Sequence, residues 1–328
     1  MIGYIAKRLL RYFILFVVIL VIIFALPRMM PGNPKDYYIS TTTHIGETYE
    51  KLQSELIVRF GLNKSMTEQF IMFVTNTFQG YFGLSWKYYP REVSRMIMER
   101  LPWTVFLVLS ARIISLALGY VLGVIAAWKH GGKIDLLIQL VGLVSMNIPP
   151  FWVGLLLLLI FAFYIPILPF GGSITPGVQF QGFWDFARDV LYHATLPIIT
   201  LSIVTFFMDA LIMRNTMVEI LGEDFIVTAE AKGLDDRTVM FRHGARNALL
   251  PFVTGAFMSF GLMITGAIFV ETAFAYPGMG MLMTEAILSR DFPLLQGILI
   301  IVTIIILASN FIADLLYARL DPRVRLTM

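Results

Sequence analysis

Glu223-Asp224-Phe225-Ile226-Val227-Thr228-Ala229-Glu230-Ala231-Lys232-Gly233-Leu234, followed by Arg242-His243 and Arg246-Asn247-Ala248-Leu249-Leu250-Pro251, is a charged island between two long apolar stretches. Helical spacing puts Phe225, Thr228, Ala229 and Lys232 on one face of a short helix. Gly233 is placed to end that helix in a left-handed conformation, and Asp235 to cap a second helix running toward Pro251. The small side chains of Ala229 and Ala231 would let a second protein approach the backbone. The pattern is that of a docking element; the plainer alternative is a solvated loop between two membrane helices.

The apolar stretches around the island fix the setting. Apolar residues make up 58% of the chain and charged residues 14%, with a mean hydropathy of +0.77, far from the balance of a soluble domain. A spanning helix needs ~20 mostly apolar residues. Six stretches meet that need, at about 9–27, 103–127, 135–164, 195–213, 250–270 and 294–318. The first has too long an apolar run for a cleavable signal, and no small-residue cleavage site precedes Pro27 and Arg28, so it reads as a retained anchor.

Basic residues in short segments stay in the cytoplasm. Lys7, Arg8 and Arg11 open the first span, and Lys129 and Lys133 lie between the second and third. Arg214, Lys232, Arg237, Arg242 and Arg246 lie between the fourth and fifth, and Arg319, Arg323 and Arg325 follow the sixth. The segments 165–194 and 271–293 hold one basic residue each, Arg188 and Arg290. Both termini are therefore expected inside. The net charge of +3 reflects this asymmetry and carries no signal for nucleic acid. With no cysteine, there is no thiol chemistry to consider.

Segment 28–102 is expected outside, as a small helical unit between the first two spans. Tyr49, Leu52, Leu56 and Phe60 mark an amphipathic helix ending at Gly61. Ser65 and Glu68 form a capping box for a second, with Phe70, Phe73, Val74 and Thr77 at helical spacing, and Pro102 suits the first turn of the second span. The unit is either a cap or receptor surface over the outer mouth, or a lid packed on the bundle.

Inside the spans, Arg112 stands in an apolar stretch where a charge is costly and faces a partner or a water-filled path. Asp209 and Glu271 are the candidate partners; Asp209 differs from it in depth by roughly 9 Å at ~1.5 Å per residue. Pro149-Pro150 is expected to kink the third span. The turn Glu271–Gly280, with Phe274, Tyr276, Pro277 and Gly278, can bend sharply and is a gate candidate, with Phe274 and Tyr276 as packing elements; the alternative is a rigid connector. The many Met and Phe residues read as lipid-facing or packing side chains.

Catalytic signals are absent. Gly131-Gly132-Lys133 lacks the rest of a phosphate-binding loop, and His44, His130, His193 and His243 are scattered, with no metal-ligand spacing. His243 beside Arg242 suits a protein contact. A membrane-embedded enzyme is disfavoured by this lack of a polar catalytic cluster, and a self-contained channel or exporter by the docking pattern.

The chain resembles, from end to end, the first permease subunit of the dipeptide/oligopeptide/nickel family of ATP-binding-cassette importers. The resemblance rests on Pro31-Gly32-Asn33-Pro34, Phe60-Gly61-Leu62-Asn63, Gly80-Tyr81-Phe82-Gly83-Leu84-Ser85 and Ile148-Pro149-Pro150-Phe151. It continues through His193-Ala194-Thr195-Leu196-Pro197, the 224–234 island, the run from Glu271 to Gly280, and Arg290-Asp291-Phe292-Pro293. The tail from Asn310 to Arg325, with Asp314, Tyr317 and Asp321-Pro322-Arg323, completes it. Two departures stand out. Glu230 stands where the family usually has Arg, and the island keeps only the last Ala and the Gly of the wider Glu-Ala-Ala-x-x-x-Gly pattern.

The expected architecture is an all-α integral membrane protein of six transmembrane helices, similar to a type I importer permease. It divides into a first helix at 1–27, an external segment at 28–102 and a five-helix core at 103–328 with a docking loop at 214–248. The resemblance implies a cell-membrane permease importing di- or oligopeptides; family members importing oligosaccharides or nickel share the same signatures, so those readings stay open. It further implies a homologous second permease, two cytoplasmic ATPase subunits that carry the ATP and Mg, and an extracytoplasmic binding protein. This chain itself needs no cofactor. ATP-driven closure of the ATPases would pull on the 222–248 loop and alternate the access of the path.

Overall fold

The structure, a computed structural model, describes residues 2–29 and 63–320. The expected helix through Tyr49 to Phe60, the Pro31–Pro34 stretch and the tail beyond Leu320 lie outside the described residues. Among the described residues there is no strand, only a lone antiparallel bridge between Leu84 and Glu92.

Helix α1, Ile2–Met29, carries the first apolar run. Its end is closed by Arg28, whose guanidinium donates to the Phe24 carbonyl at 2.7 Å. Helix α2, Met66–Phe78, opens with the expected capping box: Ser65 Oγ accepts from the Glu68 N–H at 3.3 Å, and the Glu68 carboxylate accepts from the Ser65 N–H at 2.9 Å. Helix α3, Val93–Trp128, starts well before the apolar run, so Pro102 lies inside it instead of in its first turn. A turn through Gly131, at φ +76°, leads to α4, Lys133–Ser145.

Pro149 then caps α5, Pro150–Leu158, and Pro150 takes its first position, where a missing N–H costs nothing. A π-helical turn, Leu159–Tyr164, continues α5. The Pro-Pro break is sharp: the two helical stretches cross at 102°. Helix α6, Phe183–Leu221, extends the fourth apolar run at both ends. The charged island forms α7, Asp224–Ala231. Asp236–Thr238 makes a single turn that passes into a π-helical segment, Val239–Ala245, and then into α8, Arg246–Ala273. Helices α9, Met279–Leu288, and α10, Phe292–Leu320, complete the chain. Among the described residues four helices are individually long and apolar enough to cross a membrane, and six spans result if each of two bent pairs counts as one.

The described residues separate into two compact units. One holds 103–281 with the chain ends at 2–5 and 308–320; the other holds 6–29, 63–102 and 282–307. The expected core at 103–328 is not continuous, because residues 282–307 pack with the N-terminal part.

In the first unit α3, α6, the π segment and α8 meet through Val124, Ala127, Met213, Met217, Ala245, Ala248 and Phe252. Gly119 and Gly123, four apart on α3, make the close approach: a Cβ on Gly119 would lie 2.6 Å from the Asp209 Cβ, and one on Gly123 2.6 Å from the Ala210 carbonyl. Small residues at this spacing let membrane helices touch backbone to backbone. In the second unit Leu20, Ile23 and Ile300 form the core, with Phe73 and Phe82 against them. Asp291 fastens the 84–88 loop there, accepting from Ser85 Oγ and from the Lys87 N–H at 3.0 Å, while it caps α10 through the Leu294 N–H at 3.2 Å.

Candidate functional site

The island folds as its residue types dictate. The Gly233 N–H donates to the Glu230 carbonyl at 2.9 Å and the Leu234 N–H to the Ala229 carbonyl at 3.4 Å. With Gly233 at φ +74°, these two bonds form the paired helix-ending motif that requires a left-handed residue. The Asp235 carboxylate accepts from the Thr238 N–H at 3.2 Å and from its hydroxyl at 2.6 Å. Those bonds, the hydroxyl's first, hold the Asp235 carboxyl below its ordinary range.

The expected face of α7 is divided. Ala229 is 4% exposed and turns inward with Ile226 against Val239, Trp128 and Leu221. It therefore packs on its own chain, and the outward surface consists of Phe225, Val227, Thr228, Glu230, Ala231 and Lys232, with Leu234 beside them. Glu223, Asp224 and Arg242 are also exposed, and His243 is half-buried. Arg242 and His243 sit in the π segment, whose Gly244 lies against Met217 and Leu221 of α6. Packing thus runs from α7 through the π segment to the ends of α3 and α6.

Arg112 and Asp209 are 5% and 0% exposed and form an ion pair at 2.9 Å. Arg112 also donates to the Ala256 carbonyl and Ser259 Oγ, both at 2.9 Å, and Ser115 Oγ donates to Asp209. The depth difference expected between them is closed by the long Arg side chain and by the near contact of α3 and α6 at Gly119. Glu271 is not the partner of Arg112. The pair joins α3, α6 and α8 as a buried clasp.

A second clasp, absent from the sequence reading, lies at the start of α4. Asp135 is buried and accepts from Arg214 Nε at 2.6 Å, Arg214 Nη2 at 2.9 Å and the Gly131 N–H at 2.9 Å. His130 Nδ1 lies 2.9 Å from Arg214 Nη2.

The turn after α8 is built around Glu271, which is fully buried and accepts from the Gly280 N–H at 2.6 Å. The Tyr276 N–H donates to the Glu271 carbonyl at 2.8 Å and the Ala275 N–H to the Thr272 carbonyl at 3.2 Å, with Ala275 at φ +46°. This repeats the motif at Gly233 with a side chain in the strained position. Phe274 and Tyr276 are buried as packing elements, Tyr276 edge-on to Trp103 at 5.8 Å, and that burial pushes the Tyr276 phenol up. Gly278 and Gly280 cradle the Glu271 carboxylate, which a Cβ on either would overlap. The Met279 N–H donates to Thr104 Oγ1 at 2.7 Å, and the Gly172 N–H to the Phe274 carbonyl at 3.0 Å.

Comparison with known proteins matches residues 119–326 to the family described as binding-protein-dependent transport system inner membrane component. A putative peptide permease protein of Brucella suis biovar 1 (strain 1330) is 32% identical over 327 residues, covering 100% of each chain. The oligopeptide transport system permease protein AppB of Bacillus subtilis (strain 168) is 32% identical, with 99% of each chain covered. The di/tripeptide transport system permease protein DppB of Pseudomonas aeruginosa (strain UCBPP-PA14) is 34% identical over 343 residues, again with 99% of each covered. With such coverage joined to an all-helical fold of four to six apolar spans, this chain belongs to the family of binding-protein-dependent transport system inner membrane components.

Proposed function

We propose that the chain is one half of the membrane path of an ATP-driven importer of di- and oligopeptides. A homologous second permease supplies the other half, and an extracytoplasmic binding protein delivers the substrate. Two ATP-binding-cassette ATPases, which hold the ATP and Mg, grip the 214–248 loop. Both termini and that loop face the cytoplasm, and 28–102 faces outward. The peptide assignment draws on the names of the full-length relatives.

The observation that carries the coupling role is the two-sidedness of α7. Its inner side, Ile226 and Ala229, is fixed to Val239, Trp128 and Leu221, so a push on its outward residues reaches the bundle. On that outward side, Phe225 is 42% exposed in a segment otherwise rich in charge.

The test is reconstitution of the chain with its second permease, ATPases and binding protein in liposomes. Binding-protein-dependent, ATP-dependent uptake of labelled dipeptides and longer peptides is the expected result. Uptake of nickel or an oligosaccharide in place of peptide would overturn the cargo. Uptake independent of ATP would overturn the coupling.

A further inference from the structure

Residues 136–184 contain no Asp, Glu, Lys, Arg or His. The run includes α4 from Leu136 on and all of α5 but also the irregular stretch 165–182, and an irregular segment without charge is unusual if water surrounds it. Several of its polar groups face the protein, while Gln179 and Gln181 are exposed. The Thr175 N–H and hydroxyl donate to Asp189 at 2.7 and 2.6 Å, the Gly172 N–H donates to Phe274, and His193 Nδ1 lies 2.9 Å from the Gly171 carbonyl. Its apolar side chains face out: Ile167, Phe170, Ile174 and Val178 are all exposed. Tyr164 stands at one end, and Phe183 and Trp184, 72% and 82% exposed, at the other.

We propose that the 165–184 segment lies in the lipid headgroup layer, with its apolar side chains dipping toward the acyl chains. Three observations select lipid as the occupant. Exposed apolar side chains also line the helix that leads into it, at Leu155, Leu159 and Phe163. Tyr164 and Trp184, at the two ends of the segment, are residues of the type that settles at the membrane–water boundary. Protein interfaces carry a polar rim, whereas the outward side chains of 165–184 are mostly apolar and none is charged.

Regular helix ends at Tyr164, and the stretch 165–182 that follows is irregular. Irregular backbone exposed to lipid is excluded from the hydrocarbon itself, which leaves the headgroup layer. The inference needs only a multi-pass membrane chain and is independent of cargo and sidedness.

The chain has no native cysteine, so single labels are direct. Ile167→Cys and Phe183→Cys, each spin-labelled in the complex assembled with its partner subunits in liposomes, are compared with Asp235→Cys on the charged loop. Labels at 167 and 183 are expected to collide severalfold more with oxygen, which partitions into lipid, than with a water-soluble nickel chelate, and the label at 235 to show the opposite order. Preference for the chelate at 167 and 183 would place the segment in water and overturn the proposal. Low access to both probes in the assembled complex would show a protein cover and overturn it equally.

Discussion

Replacing Gly233 tests the coupling loop more sharply than any other single change. At φ +74°, the position costs an ordinary L residue about 1–2 kcal/mol, and a β-branched residue is a strong outlier there. No atom of this chain lies within 4 Å of a Cβ added at Gly233, so added volume meets nothing internal. Two effects can therefore be separated by the choice of side chain. Gly233→Val suffers the backbone penalty and adds bulk. Gly233→Asn adds bulk but tolerates the left-handed region. For Gly233→Val, a cost of about 1–2 kcal/mol lowers the population of the intact helix end roughly 5- to 30-fold, with loss of the Gly233–Glu230 and Leu234–Ala229 bonds. The assay measures peptide uptake and binding-protein-stimulated ATP hydrolysis together on the reconstituted complex. Gly233→Val is expected to uncouple the two while the chain stays inserted, because α7 and its turn lie outside the long apolar spans. Loss of coupling in Gly233→Asn as well would locate the effect at a contact with the ATPase. Normal uptake and stimulated hydrolysis in Gly233→Val, with the ATPases assembled, would refute the docking assignment.

Arg112→Ala leaves Asp209 buried without its partner and should lower thermal stability in detergent by an amount equivalent to about 3–5 kcal/mol, whereas Arg112→Met combined with Asp209→Leu should recover most of it. Equal losses in the single and double variants would show that the ion pair is not the cause. Gly278→Ala drives a methyl into the Glu271 carboxylate and should cost about 1–3 kcal/mol by the same melt, while Gly182→Ala, in open space on extended backbone, should be neutral. Cysteines at Lys51 and Asp235 should react with an impermeant reagent from opposite sides of the membrane; labelling from one side would overturn the proposed sidedness.

Local chemistry was legible in the sequence wherever a short motif specifies its own geometry. Gly233, the Ser65/Glu68 capping box, the Asp235 cap and the Pro149-Pro150 bend all stand where residue type alone places them. The apolar runs located the spans but not their ends. Helix α6 starts at Phe183 because Asp185, Arg188 and Asp189 form helical turns ahead of the apolar run, where hydropathy gives no signal. What stayed hidden depends on partners distant in the chain. Asp135 and Arg214 meet across 79 residues, and Ser85 and Asp291 across 206; neither carries a local mark. The inward turn of Ala229 was missed because a short amphipathic helix reads the same whichever face its own protein covers. The spacing of Gly119 and Gly123, by contrast, was a visible signal of close helix contact that the reading passed over.

The buried clasp at Arg112 has a consequence for how the protein is made. Asp209 follows Arg112 by 97 residues, and Ser259 by 147. At ~5–20 residues per second of synthesis, the arginine precedes its carboxylate by about 5–20 s. During that interval α3 carries an unneutralised guanidinium, at an insertion cost of about 2.5–3.5 kcal/mol, against gains of roughly 0.3–0.6 kcal/mol for each Leu, Ile, Phe or Val in the same helix. The helix can enter the bilayer alone, but its charge is neutralised only when α6 arrives beside it. A chain cut short before residue 209 keeps a bare arginine at membrane depth, a chemical flag by which an unfinished copy differs from a finished one.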